Sequence, residues 1–313
     1  MKNIELSIIL PIYNEESVIK NFYEELKLCL DKLFEKKDKD YEIIFCLDPS
    51  TDKTEKILLN ILAKDKNCKL LKTSRKFGQP ACQMAGIENC SGNFCIVMDC
   101  DFQDPINLIP QIYNKITSEK LDVVNCKRIT REDNNLFYKF LTFVGYNLIN
   151  FLSETKIPKH VGDFRIFNRR VINSLKNLKE KNNFLKGLVS FIGFKQSFVE
   201  YKRPLREFGE TKYNSFFGAI NIGIHGIICF SNFLPNFIFF FSIVLTLLNF
   251  LCLIGIMIFN FSFLISNLLN IFIIFLINIL FIFVGILSQF ISRIYDETKD
   301  RPKYIIDEKI NFN

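Results

Sequence analysis

The chain of 313 residues contains no tryptophan, only two histidines and, among ten cysteines, no C-x-x-C pair. Its most closely spaced cysteines, Cys90, Cys95 and Cys100, are five residues apart. That spacing, with so few histidines to complete a metal set, excludes the common zinc frameworks and leaves the cysteines as reduced packing residues of a cytosolic domain. No G-x-G-x-x-G follows the first apolar run and no G-x-x-x-x-G-K-[ST] occurs, so the phosphate cradles of dinucleotide and P-loop sites are missing. Glu35–Asp40 mixes both signs of charge and reads as a solvated loop, not a nucleic-acid patch. A cleavable signal is not expected, because Met1–Glu5 is polar and the run Leu6–Ile12 is too short.

Charge is the most informative absence. No Asp, Glu, Lys or Arg occurs between Lys212 and Arg293, and the net +7 belongs wholly to residues 1–213, with 35 basic against 28 acidic side chains. Within the uncharged part, Asn236–Phe259 and Leu268–Ile291 are each long enough, at 1.5 Å per residue, to cross a hydrocarbon core of about 30 Å. The expected organisation is a cytoplasmic domain over 1–213, a juxtamembrane interfacial helix within 214–235, a two-helix transmembrane hairpin over 236–291 and a cytoplasmic tail over 292–313. A third crossing by Asn214–Phe230 is the competing topology. The basic first part and Arg293, Lys299, Arg301 and Lys303 put both ends on the cytoplasmic side, which predicts a multi-pass protein of the cytoplasmic membrane.

Residues 1–213 alternate short β-rich runs with longer helical patterns, the signature of an α/β fold with a mostly parallel sheet. Strands are expected at Leu6–Leu10, Tyr41–Leu47, Cys68–Leu71, Phe94–Met98, Asp122–Cys126 and Phe194–Tyr201. Helices are expected at Glu16–Phe34, Asp52–Ala63, Pro80–Glu88 and Pro105–Ser118, with Ser50 and Thr51 capping the second. Asp104 is expected as an N-cap, with Pro105 at the first helical position.

Ile96-Val97-Met98 runs into Asp99-Cys100-Asp101-Phe102-Gln103, an apolar strand ending in two carboxylates. In an extended chain residues i and i+2 share a side about 6.5–7 Å apart, so both acids can serve one site at the strand's carboxyl end. Two hard oxygen donors with the Gln103 amide nearby suit Mg²⁺ or Mn²⁺, ions that keep water and substrate phosphates as further ligands.

Pro11-Ile12-Tyr13-Asn14-Glu15, Asp48-Pro49-Ser50-Thr51-Asp52, Ser74-Arg75-Lys76-Phe77-Gly78, Asp99–Pro105, Gly162-Asp163-Phe164-Arg165 and Arg206–Tyr213 follow one another in a familiar order. Together they resemble the polyprenol-phosphate glycosyltransferases of glycosyltransferase family 2, which include dolichol-phosphate mannose synthases and bacterial undecaprenyl-phosphate glucosyltransferases. The apolar crossings and the tail Arg293–Lys299 also look like the bacterial branch. The resemblance implies a nucleotide-sugar-binding domain of GT-A type and inverting transfer of a single sugar, from UDP-glucose or a relative, to polyprenyl phosphate. It gives Pro11, Tyr13, Glu15 and Asp48 to the nucleoside pocket, with Asp48 receiving the base. Asp99 and Asp101 become metal and ribose acids, Gln103 a further metal ligand, and Asp163 the acid near the reacting carbon. Arg206 and Lys212 become phosphate-binding residues. Mg²⁺ or Mn²⁺ is the implied cofactor. Nucleotide-sugar, polyprenyl phosphate and the bilayer are the implied partners, and a homo-oligomer joins them because parts of the family are tetrameric.

The chain departs from the usual Val-Asp-Asp-Gly-Ser pattern, with Leu47 in place of the first acid and Pro49 in place of the glycine. Two rival readings follow. A processive polysaccharide synthase of the same superfamily needs Gln-x-x-Arg-Trp, which a chain without tryptophan cannot supply. An inactive membrane adaptor retaining the fold is opposed by the surviving acids.

Overall fold

The computed structural model describes residues 4–35, 40–129, 158, 161–178, 185–202, 204 and 301–312, with isolated helical positions between 241 and 299. The chain divides into two compact units: Met1–Tyr146 with Thr155–Ala219 and Pro302–Asn313, and Asn147–Glu154 with Ile220–Arg301.

The first unit holds eight described strands, β1 (Ile4–Ile12), β2 (Asp40–Leu47), β3 (Cys68–Thr73), β4 (Phe94–Val97), β5 (Val123–Arg128), β6 (Val161–Asn168), β7 (Gln196–Tyr201) and β8 (Ile306–Ile310). They form one sheet of order β7-β5-β6-β4-β1-β2-β3-β8. Its helices are α1 (Ile19–Phe34), α2 (Thr54–Lys64), α3 (Gln79–Asn89), α4 (Ile109–Ser118), α5 (Arg169–Asn177) and α6 (Leu185–Ile192). β1 and β2 carry nearly unbroken buried runs, as strands covered on both faces must. α1 buries Ile19, Phe22, Leu26, Leu30 and Phe34, one stripe at helical spacing against the sheet core.

The mostly parallel sheet expected from the alternation is present, but it is mixed. β6 runs antiparallel between β4 and β5, and β8 closes the far edge antiparallel to β3. Neither strand was expected. β6 hides because it carries Asp163 and Arg165 inside an apolar run, and β8 because three charged residues separate its two isoleucines. The tail expected over 292–313 therefore ends as part of the sheet, and Ser74 N donates to Ile305 O at 3.0 Å.

Two expected caps are corrected. Helix α2 has no side-chain cap from Ser50 or Thr51, whose hydroxyls instead accept from Asn14. Asp104 does not cap a helix either: a short 3₁₀ turn, Ile106–Leu108, begins after Pro105, and the Asp104 carboxylate turns back to the D-x-D segment. All eight described cysteines are free, and burial pushes the thiols of Cys46, Cys82, Cys95, Cys100 and Cys126 up, which keeps them protonated.

In the second unit Ile273, Ile277, Leu280, Val284, Leu287, Ile291 and Ile294 are helical and 44–62% exposed. Alternating spacings of four and three place them on one helical face. Among the described residues no helix is long and apolar enough to cross a membrane. The two expected crossings and the interfacial helix fall largely outside the described residues.

Helix α3 lies so close to the sheet that a Cβ on Gly86 would come within 2.3 Å of Ile9 Cγ2 and 3.0 Å of Cys46 Sγ. Gly86→Ala is expected to cost ~1–3 kcal/mol of stability through overpacking. A lowered thermal midpoint of the purified chain checks this; an unchanged midpoint would mean that α3 lifts from β1 without cost.

Candidate active site

The carboxyl ends of β1, β2, β4, β5 and β7 share one rim of the sheet with the start of β6, because β6 runs the opposite way. Open α/β sheets bind ligands at this rim.

On the β1–β2 side, Asp48 N donates to Ile12 O at 3.0 Å and ties the two strand ends together. Asn14, with a left-handed φ of 52°, exchanges hydrogen bonds with Ser50 and Thr51, and Glu15 N donates to Thr54 Oγ1 at 2.8 Å. Pro11, Tyr13 and Glu15 sit half-buried on this stitched pair of loops. The Lys76 ammonium lies 3.6 Å from the centroid of the Tyr13 ring.

Asp48 has a different first task from the one the resemblance gives it. It is only 2% exposed, and Thr73 Oγ1 (2.7 Å), Phe77 N (3.1 Å) and Gly78 N (2.7 Å) all donate to its carboxylate. Those bonds fold the 73–78 loop onto the end of β2. Gly78 makes the turn possible with a φ of 91°, a region that side chains disfavour.

The D-x-D acids follow β4 on a bend, so the spacing expected for an extended chain does not apply to them. Gln79 Nε2 donates to Asp99 Oδ1 at 2.7 Å, and Gln103 N donates to Asp101 Oδ1 at 3.1 Å. Phe102 adopts a left-handed φ of 61° and packs edge-on to Phe22 with centroids 5.2 Å apart. Beneath the turn, Asp104 is 1% exposed; it accepts from Asp99 N (3.1 Å) and from the Tyr201 hydroxyl (3.1 Å), to which Arg128 Nε in turn donates (3.3 Å). This buried chain fixes the metal-type acids to the ends of β5 and β7.

Asp99, Asp101 and Gln103 offer hard oxygens of the kind that suit Mg²⁺ or Mn²⁺. Among the described residues no three His, Cys, Asp or Glu side chains converge on one point. An ion held by these groups would have to take its remaining oxygens from water or a phosphate.

Asp163 lies on β6 and not in a turn. The last β4–β6 pair in register is Val97 with Arg165; Asp163 lies two residues before Arg165 on β6, and Asp99 two residues after Val97 in the segment that follows β4. Lys186 Nζ of α6 stands 3.9 Å from Asp163 Oδ1. Burial pushes the Asp163 carboxyl up, but Lys186 and Arg165, then the Gln83 amide and Arg128, more than reverse this and hold it below the usual carboxylate range. Arg165 is 1% exposed; one nitrogen donates to Gly162 O at 2.5 Å, while its Nε is buried without a hydrogen-bond partner.

The structure therefore gathers Pro11, Tyr13, Glu15, Asp48, Asp99, Asp101, Gln103 and Asp163 along one rim. Arg206 and Lys212 lie outside the described residues. Sequence reasoning missed Gln79, Tyr201 and Lys186, and took Asp104 for a cap. For Lys186 the chain gave no signal, since its approach to Asp163 exists only once α6 packs on β6.

The family description "Glycosyl transferase family 2" matches residues 7–176. The chain is 35% identical to an uncharacterized glycosyltransferase, YkcC, of Bacillus subtilis, covering 98% of this chain and 94% of the relative. It is 34% identical to a prophage bactoprenol glucosyl transferase homolog of Escherichia coli, covering 97% and 98%. It is 33% identical to the bactoprenol glucosyl transferase of Shigella phage SfII, covering 97% of each. With a GT-A-type mixed sheet presenting its acids at the ligand rim, and with likeness over nearly its whole length, the chain belongs to glycosyl transferase family 2 and is a glycosyltransferase.

Proposed function

We propose that this enzyme moves one glucosyl residue from UDP-glucose, or a closely related nucleotide-sugar, to polyprenyl phosphate at the cytoplasmic face of the membrane that anchors it. The observation that carries this reading is the extent of the likeness. Relatives named bactoprenol glucosyl transferase align over 97% of the chain, far beyond residues 7–176 and through the whole uncharged stretch.

Membrane anchoring is supported by that stretch and by the exposed aliphatic face from Ile273 to Ile294. Topology narrows it further. β1–β7 and β8 belong to one sheet, so any segment between them that crosses a bilayer must do so an even number of times. Two crossings, Asn236–Phe259 and Leu268–Ile291, satisfy this with Asn214–Phe230 lying flat; a third would strand β8 on the wrong side.

In the proposed reaction an oxygen of the lipid phosphate attacks the anomeric carbon, the bond to the nucleoside diphosphate breaks in line, and configuration inverts. Tyr13, Pro11 and Glu15 line the nucleoside end, and Asp48 shapes it through the 73–78 loop. Asp99, Asp101 and Gln103 would hold Mg²⁺ or Mn²⁺, which when bound offsets charge on the departing diphosphate. Arg206 and Lys212 are assigned to the lipid phosphate, where an Arg fork and a compact ammonium suit an oxyanion. A phosphate monoester has its second pKa near ~6 and is largely ionised at neutral pH, so the nucleophile needs little help from a base. Asp163, kept ionised by its cationic neighbours, suits stabilising the positive charge that develops on the sugar, as carboxylates do in glycosidases.

Asp101→Asn is expected to abolish metal-dependent transfer while leaving membrane insertion intact, measured with purified protein, Mg²⁺ or Mn²⁺, polyprenyl phosphate and a panel of labelled nucleotide-sugars. Full activity would remove Asp101 from the site. The same panel should yield one sugar per lipid from the wild type, with UDP-glucose the best donor; a long polymer would overturn the assignment.

A carboxyl with a depressed pKa keeps its charge through neutrality and loses it only as pH falls below the ordinary carboxylate range. The acid limb of the rate profile should therefore be the lipid phosphate's, near pH ~6. Asp163→Asn is expected to lower turnover at least ~10²-fold, as loss of one electrostatic contact in an active site does, and to leave that limb in place. Disappearance of the limb in the variant would make Asp163 the titrating group.

A further inference from the structure

Lys186 is the second residue of α6 and is claimed by no motif. Its ammonium stands 3.9 Å from Asp163, with each side chain 27% exposed. At that distance the pair is electrostatic and not a hydrogen bond, so among the described residues none of the three N–H donors of Lys186 is spent. A partly exposed pair of this kind contributes little stability and is readily opened by a better anion.

The surroundings favour one. Lys186 of α6 stands beside Asp163, and Arg165 of β6 and Arg128 of β5 also act on it, Arg128 being shared with Asp104 and Asp99. Arg165 Nε is buried without a hydrogen-bond partner, and the Gln83 amide also acts on Asp163. Among the described residues Lys186 is the member of this group that combines unspent donors with a partly exposed side chain. Lys186 thus supplies positive charge beside a carboxylate that lies on β6 two residues from the Val97–Arg165 pair at the end of β4. A phosphate brought to the reacting carbon must come close to the Asp163 carboxylate, which repels it; a neighbouring ammonium cancels that repulsion.

We propose that Lys186 is a phosphate-binding residue of this site, holding an oxyanion beside Asp163. The inference rests on the function proposed above, in which two substrates carry phosphate: the diphosphate of the donor and the monoester of the lipid. Both offer the same chemistry to an ammonium, and affinity for each separates them.

The test uses the full chain, purified as wild type, Lys186→Met and Lys186→Arg. Calorimetry measures binding of UDP with Mn²⁺ and, separately, of a short-chain polyprenyl phosphate. Lys186→Met is expected to weaken one of the two at least tenfold and the other less than twofold, with the thermal midpoint unchanged. Loss of the lipid assigns Lys186 to the acceptor and loss of UDP assigns it to the leaving group. Lys186→Arg, which keeps the charge, should stay within threefold of wild type. Unchanged affinity for both ligands, equal weakening of both, or a wild type that binds neither overturns the proposal. Transfer by the wild type is read apart from binding: a wild type that binds but transfers no sugar refutes the proposed function, while Lys186 is still judged by its affinities.

Discussion

A reversed strand between two forward ones organises the catalytic rim. Strands β4 and β5 end at the rim and β6 begins there, so residues that open β6 meet residues that follow β4. Asp163 and Asp99 thereby each lie two residues from the Arg165–Val97 pair, although 64 positions separate them in the numbering. The same strand carries Arg165 two places on, where its side chain points to the same face and is buried. A guanidinium in a sheet core is costly unless charge and hydrogen bonds compensate it. Here the Gly162 carbonyl and Asp163 compensate it only in part, and burial pushes its pKa down despite Asp163. The core thus holds positive charge close to the Asp163 carboxylate.

That arrangement segregates charge across the rim. Acids gather on the turn after β4, and cations on β5, β6 and α6. The two sides are joined by Arg128, Tyr201 and Asp104, a short chain of hydrogen bonds ending on the backbone of Asp99. Asp104 replaces mobile water as the partner of that N–H, and Phe102 is held in a sparsely populated left-handed conformation between the acids and Gln103. A turn over-determined in this way is preorganised: a ligand meets oxygens already in place and loses little in ordering them.

Much of this was legible in the sequence because the signals are local. Six parallel strands and four helices announced themselves through period and length, and the D-x-D acids through an abrupt change from apolar to acidic. What stayed hidden depends on partners distant in sequence. β6 and β8 carry charges that mask a strand pattern: on β6 Arg165 is buried near Asp163, while Asp307, Glu308 and Lys309 of β8 stand exposed at the sheet edge. Asp104 resembled a cap because Asp-Pro before a helical pattern has that signature; the backbone of Asp99 outcompeted the helix for its carboxylate. Asp48 carried the family's motif position, yet its first role, clamping the 73–78 loop, arises from Thr73 and from the backbone N–H groups of Phe77 and Gly78, none of which has a recognisable side-chain pattern.

β8, at one edge of the sheet, is the last described strand in chain order. Asn311 donates to Cys68 O across 243 positions, and Ile305 O receives Ser74 N where the clamped loop begins. Without β8, β3 would present a bare edge, the feature by which sheets recruit foreign chains. β8 follows the uncharged stretch in the chain, so that edge of the sheet is covered only after the stretch has been synthesised.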